Sequence, residues 1–380
     1  MKIVPNTISR SKSVLTGKGP LEPLHTFKNF PVFMGCTDLP EADDLFADME
    51  WAICPATGCI QLVKLLPLEI LYRSQHNEGC GGVWTEHYNE FVSFLGKFDP
   101  KNVLEIGGAN GQIAKLFTRS NKGVRWTVVE PNPTFHGDKN VEVVAAWFDE
   151  SFTSNRPVDT IVHSHVLEHT YNPPEFISHV ARFLKPGGKH IFSFPNLYHF
   201  MKCKYTNCLN FEHTVFLTEY FTDFLLRKAG FSILEKKYFQ DHSLFYATEK
   251  AATDWAAEPL QNQYGEYKKM FLDFIDYHLG MVAELNQRIN SAKTPTYLFG
   301  GHIFSQFLIA FGLNTKNIVE ILDNGPQKQG KRLYGTRLMV RSPKILKAEK
   351  EVNVILKAAN YNEEIKKDIL ENINDRVVFW

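Results

Sequence analysis

The stretch Val103–Gly111, VLEIGGANG, constrains this chain most. An apolar run ends in Glu105 and passes into a turn holding Gly107, Gly108 and Gly111, after which Gln112–Phe117 reads as a helix. A strand feeding a glycine turn and a helix begins a βαβ unit, and open parallel sheets bind ligands at the carboxyl ends of their strands. The glycines let the backbone approach a ligand closely. The loop does not fit the register of the dinucleotide fingerprint G-x-G-x-x-G, but it suits a single nucleoside. Glu130, closing WTVVEP, is placed to accept hydrogen bonds from both ribose hydroxyls. Glu105 either anchors the loop or meets a cationic amino-acid moiety. The bland alternative, a turn that binds nothing, has to explain two acids, a glycine loop and a Pro-Gly-Gly turn in the right order.

The alternation continues downstream. KNVLEIG, RWTVVEP, VEVVAAW and VDTIVHSHV read as strands, and FISHVARFLKPGGKHIFSFPN as helix, turn and strand, with Gly187–Gly188 ending the helix. An α/β fold follows, with a central doubly wound Rossmann-like domain over 89–250. Residues 1–88 mix Pro, Gly and Cys with short strand-like runs and end in a helical segment running from Trp84 into Leu95, which makes a small N-terminal domain. Residues 251–290 read as one amphipathic connector helix, because Met270, Phe271, Phe274, Tyr277, His278, Met281 and Leu285 recur at helical spacing. PTYLFGG, IFSQFLIAFG, IVEILDN and VNVILKAAN then predict a C-terminal Rossmann-like domain over 291–380. The chain's 380 residues exceed what one core organises.

Lys+Arg and Asp+Glu both total 42, and this balance argues against a dedicated nucleic-acid or anionic-membrane partner. MKIVPNTISRSKS lacks the apolar segment of an export signal, and no window reaches the length of a membrane span. Six cysteines are too few in so long a chain for a disulfide framework. The expectation is a cytoplasmic enzyme with reduced thiols acting on a small molecule, its oligomeric state open.

The glycine loop, Glu130, HVLEHTYNPPEF and FLKPGGKHIFSFPN together resemble the class I S-adenosylmethionine-dependent methyltransferases over roughly residues 98–200. The resemblance implies S-adenosylmethionine as cofactor. Glu105, Gly107, Gly108, Asn110, Gly111 and Glu130 would hold it, with Asp149 after the third strand beside the adenine and His165 at the rim near the methyl group. The family usually has Gly at the position of Ala109.

A narrower resemblance spans almost the whole chain, to the sugar C-methyltransferases of deoxysugar biosynthesis. They place a small zinc-bearing domain before the methyltransferase core and a Rossmann-like domain after it. CPATGCIQL, LEPLHTFKNFPVF, NFEHTVFLTEYFTDFLLRKAGFSILE, ILDNGPQKQGKRLYGTRLMVRSP and LKAANYNEEI carry the likeness. The zinc knuckles are degenerate here. One falls on Ser13 and Thr16, the other on Cys54 and Thr57, and hydroxyls are poor zinc ligands. Cys36, Cys59 and His25 are the residues left for an unorthodox site. The expectation is no metal, with the domain held by apolar packing.

The family's Tyr-His-Glu-His becomes Asn210-Phe211-Glu212-His213. Methylating a carbon beside a ketone requires a base for the α-proton and a donor to the enolate oxygen. The resemblance makes His213 the base, Glu212 its orienting partner and Asn210 the donor in place of the lost Tyr. C-methylation of a nucleotide-linked deoxy- or keto-sugar is the reading it favours. Because a hydroxyl acceptor needs only the base, O- or N-methylation of a sugar or related small molecule stays open. A weakened binding or assembly paralogue is the reading from another class.

His163, His165, His169 and His242 compete with His213 as rim imidazoles, and His169 and His242 are candidates for substrate contact. Trp84, His87 and Tyr88, after the Gly79–Gly82 stretch, either cap the cofactor or form an aromatic seam. In the C-terminal domain Gly300-Gly301-His302 could present amides to a phosphate, with Asp323 ending the next strand and Asn360 and Tyr361 reaching the cleft. The alternative there is a lobe used only for packing.

Overall fold

The computed structural model describes residues 2–72, 81–252 and 259–380. Strands β1 (Lys2–Ile3), β2 (Glu22–Pro31), β3 (Leu45–Ile53) and β4 (Ile60–Leu62) form one sheet in which β3 lies between β1 and β2 and also pairs with β4. The expected knuckles survive as two turns. Gly17 N–H donates to Ser13 O, and the N–H groups of Thr57 and Gly58 donate to Cys54 O. Thr57 Oγ1 accepts from Cys59 N–H at 3.2 Å, so a hydrogen bond fills a ligand's place. Cys36, Cys59 and His25 do not converge. Cys36 Sγ donates to Gly301 O at 3.2 Å, Cys59 is buried against Ser13 and Cys54, and His25 packs edge-on against Phe27. Gly79 and Cys80 lie outside the described residues.

Helix α1 (Gly82–Gly96) runs across the expected 88/89 border. It buries Phe91, Phe94 and Leu95 in the cluster of Ile113, Phe117, Trp126 and Phe245, so it belongs to the central sheet. The strands of that sheet are β5 (Asn102–Ile106), β6 (Arg125–Val129), β7 (Val141–Val144), β8 (Thr160–Ser164), β9 (Lys189–Pro195), β10 (Phe231–Phe239) and β11 (Ser243–Lys250). Their order is β7–β6–β5–β8–β9–β11–β10, parallel except for β11, which pairs antiparallel with both neighbours. The reversal between β5 and β8 opens the crevice where such sheets bind ligands. Helices α2 (Gln112–Ser120), α3 (Pro173–Phe183), α4 (Leu197–Lys202) and α5 (Glu219–Lys228) connect them.

Helix α6 spans Tyr264–Ser291, starting well after residue 251. Asn262 Oδ1 accepts from Tyr264 N–H, and Pro259, which lacks an amide proton, lies upstream. Its buried stripe is Tyr267, Phe271, Phe274, Ile275, His278, Val282, Leu285 and Ile289, whereas Tyr277 turns to solvent. No described helix is long and apolar enough to cross a membrane.

Strands β12 (Thr296–Phe299), β13 (Ile318–Leu322), β14 (Val340–Arg341), β15 (Val352–Leu356) and β16 (Val377–Phe379) form a parallel sheet ordered β14–β13–β12–β15–β16, with helices α7 (Ile303–Ala310) and α8 (Asn362–Asn372). The N-terminal sheet ties this lobe on. Arg332 donates from both terminal nitrogens to the buried Asp44 at 2.6 Å each, and Tyr334 Oη accepts from Leu45 N–H. Phe27 packs edge-on against Phe307 and Phe311.

Candidate active site

The turn after β5 is closed by conformations that glycine favours. Gly107 and Gly111 have φ of 69° and 71°, and a Cβ on Gly108 would sit 2.5 Å from Val128. Ala109 holds φ 48° and donates its N–H to Glu130 Oε2 at 3.2 Å, while Glu130 Oε1 accepts from Asn132 N–H at 3.0 Å. Each Glu130 oxygen keeps a lone pair beyond these bonds. Glu105 is an anchor. It is buried, accepts from Trp126 Nε1 at 2.7 Å, and burial above all pushes its carboxyl up to about 8. The Asn110 carbonyl accepts from Lys115 Nζ at 2.6 Å, so its backbone helps pin the loop to α2.

Asp149 Oδ1 accepts from the N–H and Oγ of Ser151, closing a turn in which those bonds hold the carboxyl below its usual range. Trp147 packs edge-on against Tyr72 at 5.7 Å, and Tyr72 O accepts from Asn132 Nδ2. Tyr72 therefore links the Glu130 turn to the chemistry next door, a role the sequence did not signal.

That chemistry is a buried chain of acids and imidazoles after β8. His165 takes φ 55°, which turns the loop so that His165, Glu168 and His169 face inward together. Glu168, absent from the sequence expectations, is 1% exposed. Its Oε1 lies 3.2 Å from His165 Nδ1 and 3.8 Å from His169 Nε2, ion-pair distances without hydrogen-bond alignment. Burial raises its pKa against the pull of His169 and His213. His169 Nδ1 lies 3.1 Å from Glu212 Oε2 and 3.3 Å from Tyr72 Oη. Burial pulls His169 down, but the Glu212 hydrogen bond and the charges of Glu168 and Glu212 outweigh it and hold the ring above its ordinary value.

His213 faces this pair, its ring 5.3 Å from His169. Its Nδ1 is 3.3 Å from Cys208 O, which sets the tautomer with Nε2 as acceptor. Burial, then the neighbouring His169, lowers it to about 4. Asn210 has a structural task as well. Its Oδ1 accepts the N–H groups of Glu212 and His213 at 2.8 and 2.7 Å, so it shapes the turn that presents both. His163 is no rim residue. It lies inside the sheet, its Nε2 2.9 Å from His190 Nε2. His242 Nδ1 bonds Ser243 Oγ at 2.6 Å, beside His165 rather than His213.

From the C-terminal lobe, half-buried His302 is lowered to about 4, by desolvation first and then by the Lys328 charge, against the pull of Asp323 and Glu212. Asp323 is already engaged. It accepts from Gly301 N–H, Gly325 N–H and Lys328 Nζ, leaving less for a ribose than Glu130 has. Tyr361 packs against its own lobe's core, and the Asn360 side chain is outside the described part.

Residues 83–236 match a family model described as a methyltransferase domain. No curated protein matches the chain. Similar solved structures include a Burkholderia thailandensis 1,6-didemethyltoxoflavin-N1-methyltransferase, 17% identical over 45% of this chain and 79% of that one, with a TM-score of 0.36. The N-methyltransferase NodS of Bradyrhizobium japonicum is 17% identical over 44% and 97%, with a TM-score of 0.35. Human N-acetylserotonin methyltransferase is 16% identical over 45% and 53%, with a TM-score of 0.39. The strand order, the glycine loop and the acid on the second strand have the layout of a class I, S-adenosylmethionine-dependent fold, and they agree with the family match: residues 83–236 form a methyltransferase domain, and the chain is a methyl-transfer enzyme.

Proposed function

We propose that this enzyme methylates a carbon next to a carbonyl on a nucleotide-linked sugar. The observation that carries the reading is the facing of two differently held imidazoles, His169 with Nδ1 3.1 Å from Glu212 Oε2 and His213 with Nδ1 3.3 Å from Cys208 O, their ring centres 5.3 Å apart. Glu130 and the Gly107–Gly111 turn fit the cofactor's adenosine, since both Glu130 oxygens retain acceptor capacity. When bound, S-adenosylmethionine supplies an electrophilic methyl group.

His213 Nε2 takes the α-proton, and Cys208 O steadies the ring as it becomes cationic. His169, held between Glu212 and Glu168, donates toward the enolate oxygen, with Tyr72 Oη beside it. His169 is then a donor beside the one expected of the Asn210 amide. His302 lies near enough to Lys328 and Glu212 to feel both charges, and this part of the C-terminal lobe is where the phosphates of the nucleotide would sit. O-methylation has its own support, since a hydroxyl acceptor would need His213 alone.

Turnover on a panel of nucleotide-linked keto-sugars and hydroxy-sugars tests the reading. Keto-sugar methylation that falls about 100-fold or more in His213→Ala supports it. Exclusive methylation of hydroxyls overturns the C-methyl assignment.

A further inference from the structure

A second imidazole cluster lies behind the first. His87 on α1, His165 after β8 and His242 before β11 each offer a ring nitrogen, and those three nitrogens lie within 4.8 Å of one another. Their rings stand 5.3 to 5.7 Å apart. Trp84 walls the cluster, its ring 4.8 Å from His165 and 4.9 Å from His242. Ser243 pairs with Pro195 at the end of β9, so the cluster sits at the carboxyl edge of the parallel strands, beside the site.

His87 is the anomaly. It is 0% exposed, and neither of its ring nitrogens has a hydrogen-bond partner among the described residues. Buried imidazoles almost always find one. Phe239, Phe245 and Phe91 surround its other sides. On the remaining side stand the rings of His165 and His242, at 5.3 and 5.7 Å. Glu168 supplies the second unexplained feature, a buried carboxylate with no hydrogen bond among the described residues, 3.2 Å from His165 Nδ1. A metal-bound histidine typically turns its second nitrogen to a carboxylate in this way.

We propose that His87, His165 and His242 form a site for a divalent transition-metal ion of the zinc or cobalt type. Three neutral imidazoles suit such an ion, and a three-ligand set leaves a coordination position open for an oxygen. Ser243 Oγ, 3.0 Å from His165 Nε2 and 2.6 Å from His242 Nδ1, stands ready as a further oxygen partner. Zinc–nitrogen bonds of about 2.0–2.1 Å require the rings to draw closer by roughly 1 Å, a shift that side-chain torsions can supply. The ion would balance Glu168 and couple this cluster to His169 through that shared carboxylate.

The test is titration of the chelator-treated full-length enzyme with cobalt(II), followed by absorption and equilibrium dialysis, with zinc(II) as competitor. One equivalent should bind with the visible bands of nitrogen-coordinated cobalt. His242→Ala, at a partly exposed turn, should weaken binding at least tenfold, and His87→Gln should do the same, while the surface change His136→Ala should not. His213→Ala separates this site from the neighbouring Glu168–His169–His213 group. Binding lost in His213→Ala but kept in His242→Ala overturns the assignment, as does absence of stoichiometric binding by folded wild-type enzyme.

Discussion

Glu212 Oε2 lies 3.1 Å from His169 Nδ1, and this contact divides two neighbouring imidazoles into an acid and a base. His169 is held above its ordinary value, while His213, 5.3 Å away, is lowered to about 4. The rate should therefore rise as pH climbs through about 4, where His213 becomes unprotonated. It should fall again above the ordinary imidazole value, where His169 loses its proton. Glu212→Gln removes the charge that sustains His169, so the alkaline limb of kcat/KM should move down by about one pH unit or more. An unmoved limb would show that His169 is not the acid.

Glu130 accepts two backbone N–H groups and is the acid placed for the ribose. Glu130→Ala should weaken S-adenosylhomocysteine binding by about 10- to 100-fold, since a charged hydrogen bond contributes ~1.5–3 kcal/mol. Calorimetry reads this directly, with circular dichroism confirming the fold. Unchanged affinity would move the ribose elsewhere.

Gly111 combines φ 71° with ring atoms of Phe135 2.4 to 2.8 Å from where a Cβ would stand. Gly111→Ala should cost about 1–3 kcal/mol of stability and most of the cofactor affinity. Adding Phe135→Ala should recover only the steric part, because the backbone conformation still disfavours a side chain. Full recovery by the double variant would assign the whole cost to the clash.

Asp44 is 0% exposed and receives both terminal nitrogens of Arg332 as well as Gly335 N–H. Removing one partner of a buried pair leaves the other charge unpaired, so Asp44→Ala should destabilise by about 3–5 kcal/mol. Urea unfolding should become biphasic as the C-terminal lobe loosens first. A single unshifted transition would contradict the role given to this seam.

Much of this architecture is legible in the chain, because strand and helix periodicity and the glycine loop are local signals. Glu130, Glu212 and His213 are legible through their motifs. Other features depend on through-space neighbours that spacing does not encode. Glu168 sits between two histidines that draw more attention, and only the positive φ of His165 turns all three inward. Tyr72 reaches His169 from a segment distant in sequence. Asn210 is equally readable as donor or turn-former until the loop closes on its Oδ1. The start of α6 at Tyr264 depends on Asn262 accepting from its N–H, which the hydrophobic repeat does not register.

The most direct test of the central claim is α-proton exchange by NMR. Nucleotide-linked keto-sugars would be incubated in deuterium oxide with the enzyme and S-adenosylhomocysteine, so that no methyl can transfer. The account predicts deuterium entering the carbon beside the ketone with wild-type enzyme, slowed about 100-fold or more in His213→Ala. No exchange with any keto-sugar that is methylated, or equal exchange by His213→Ala, would contradict it.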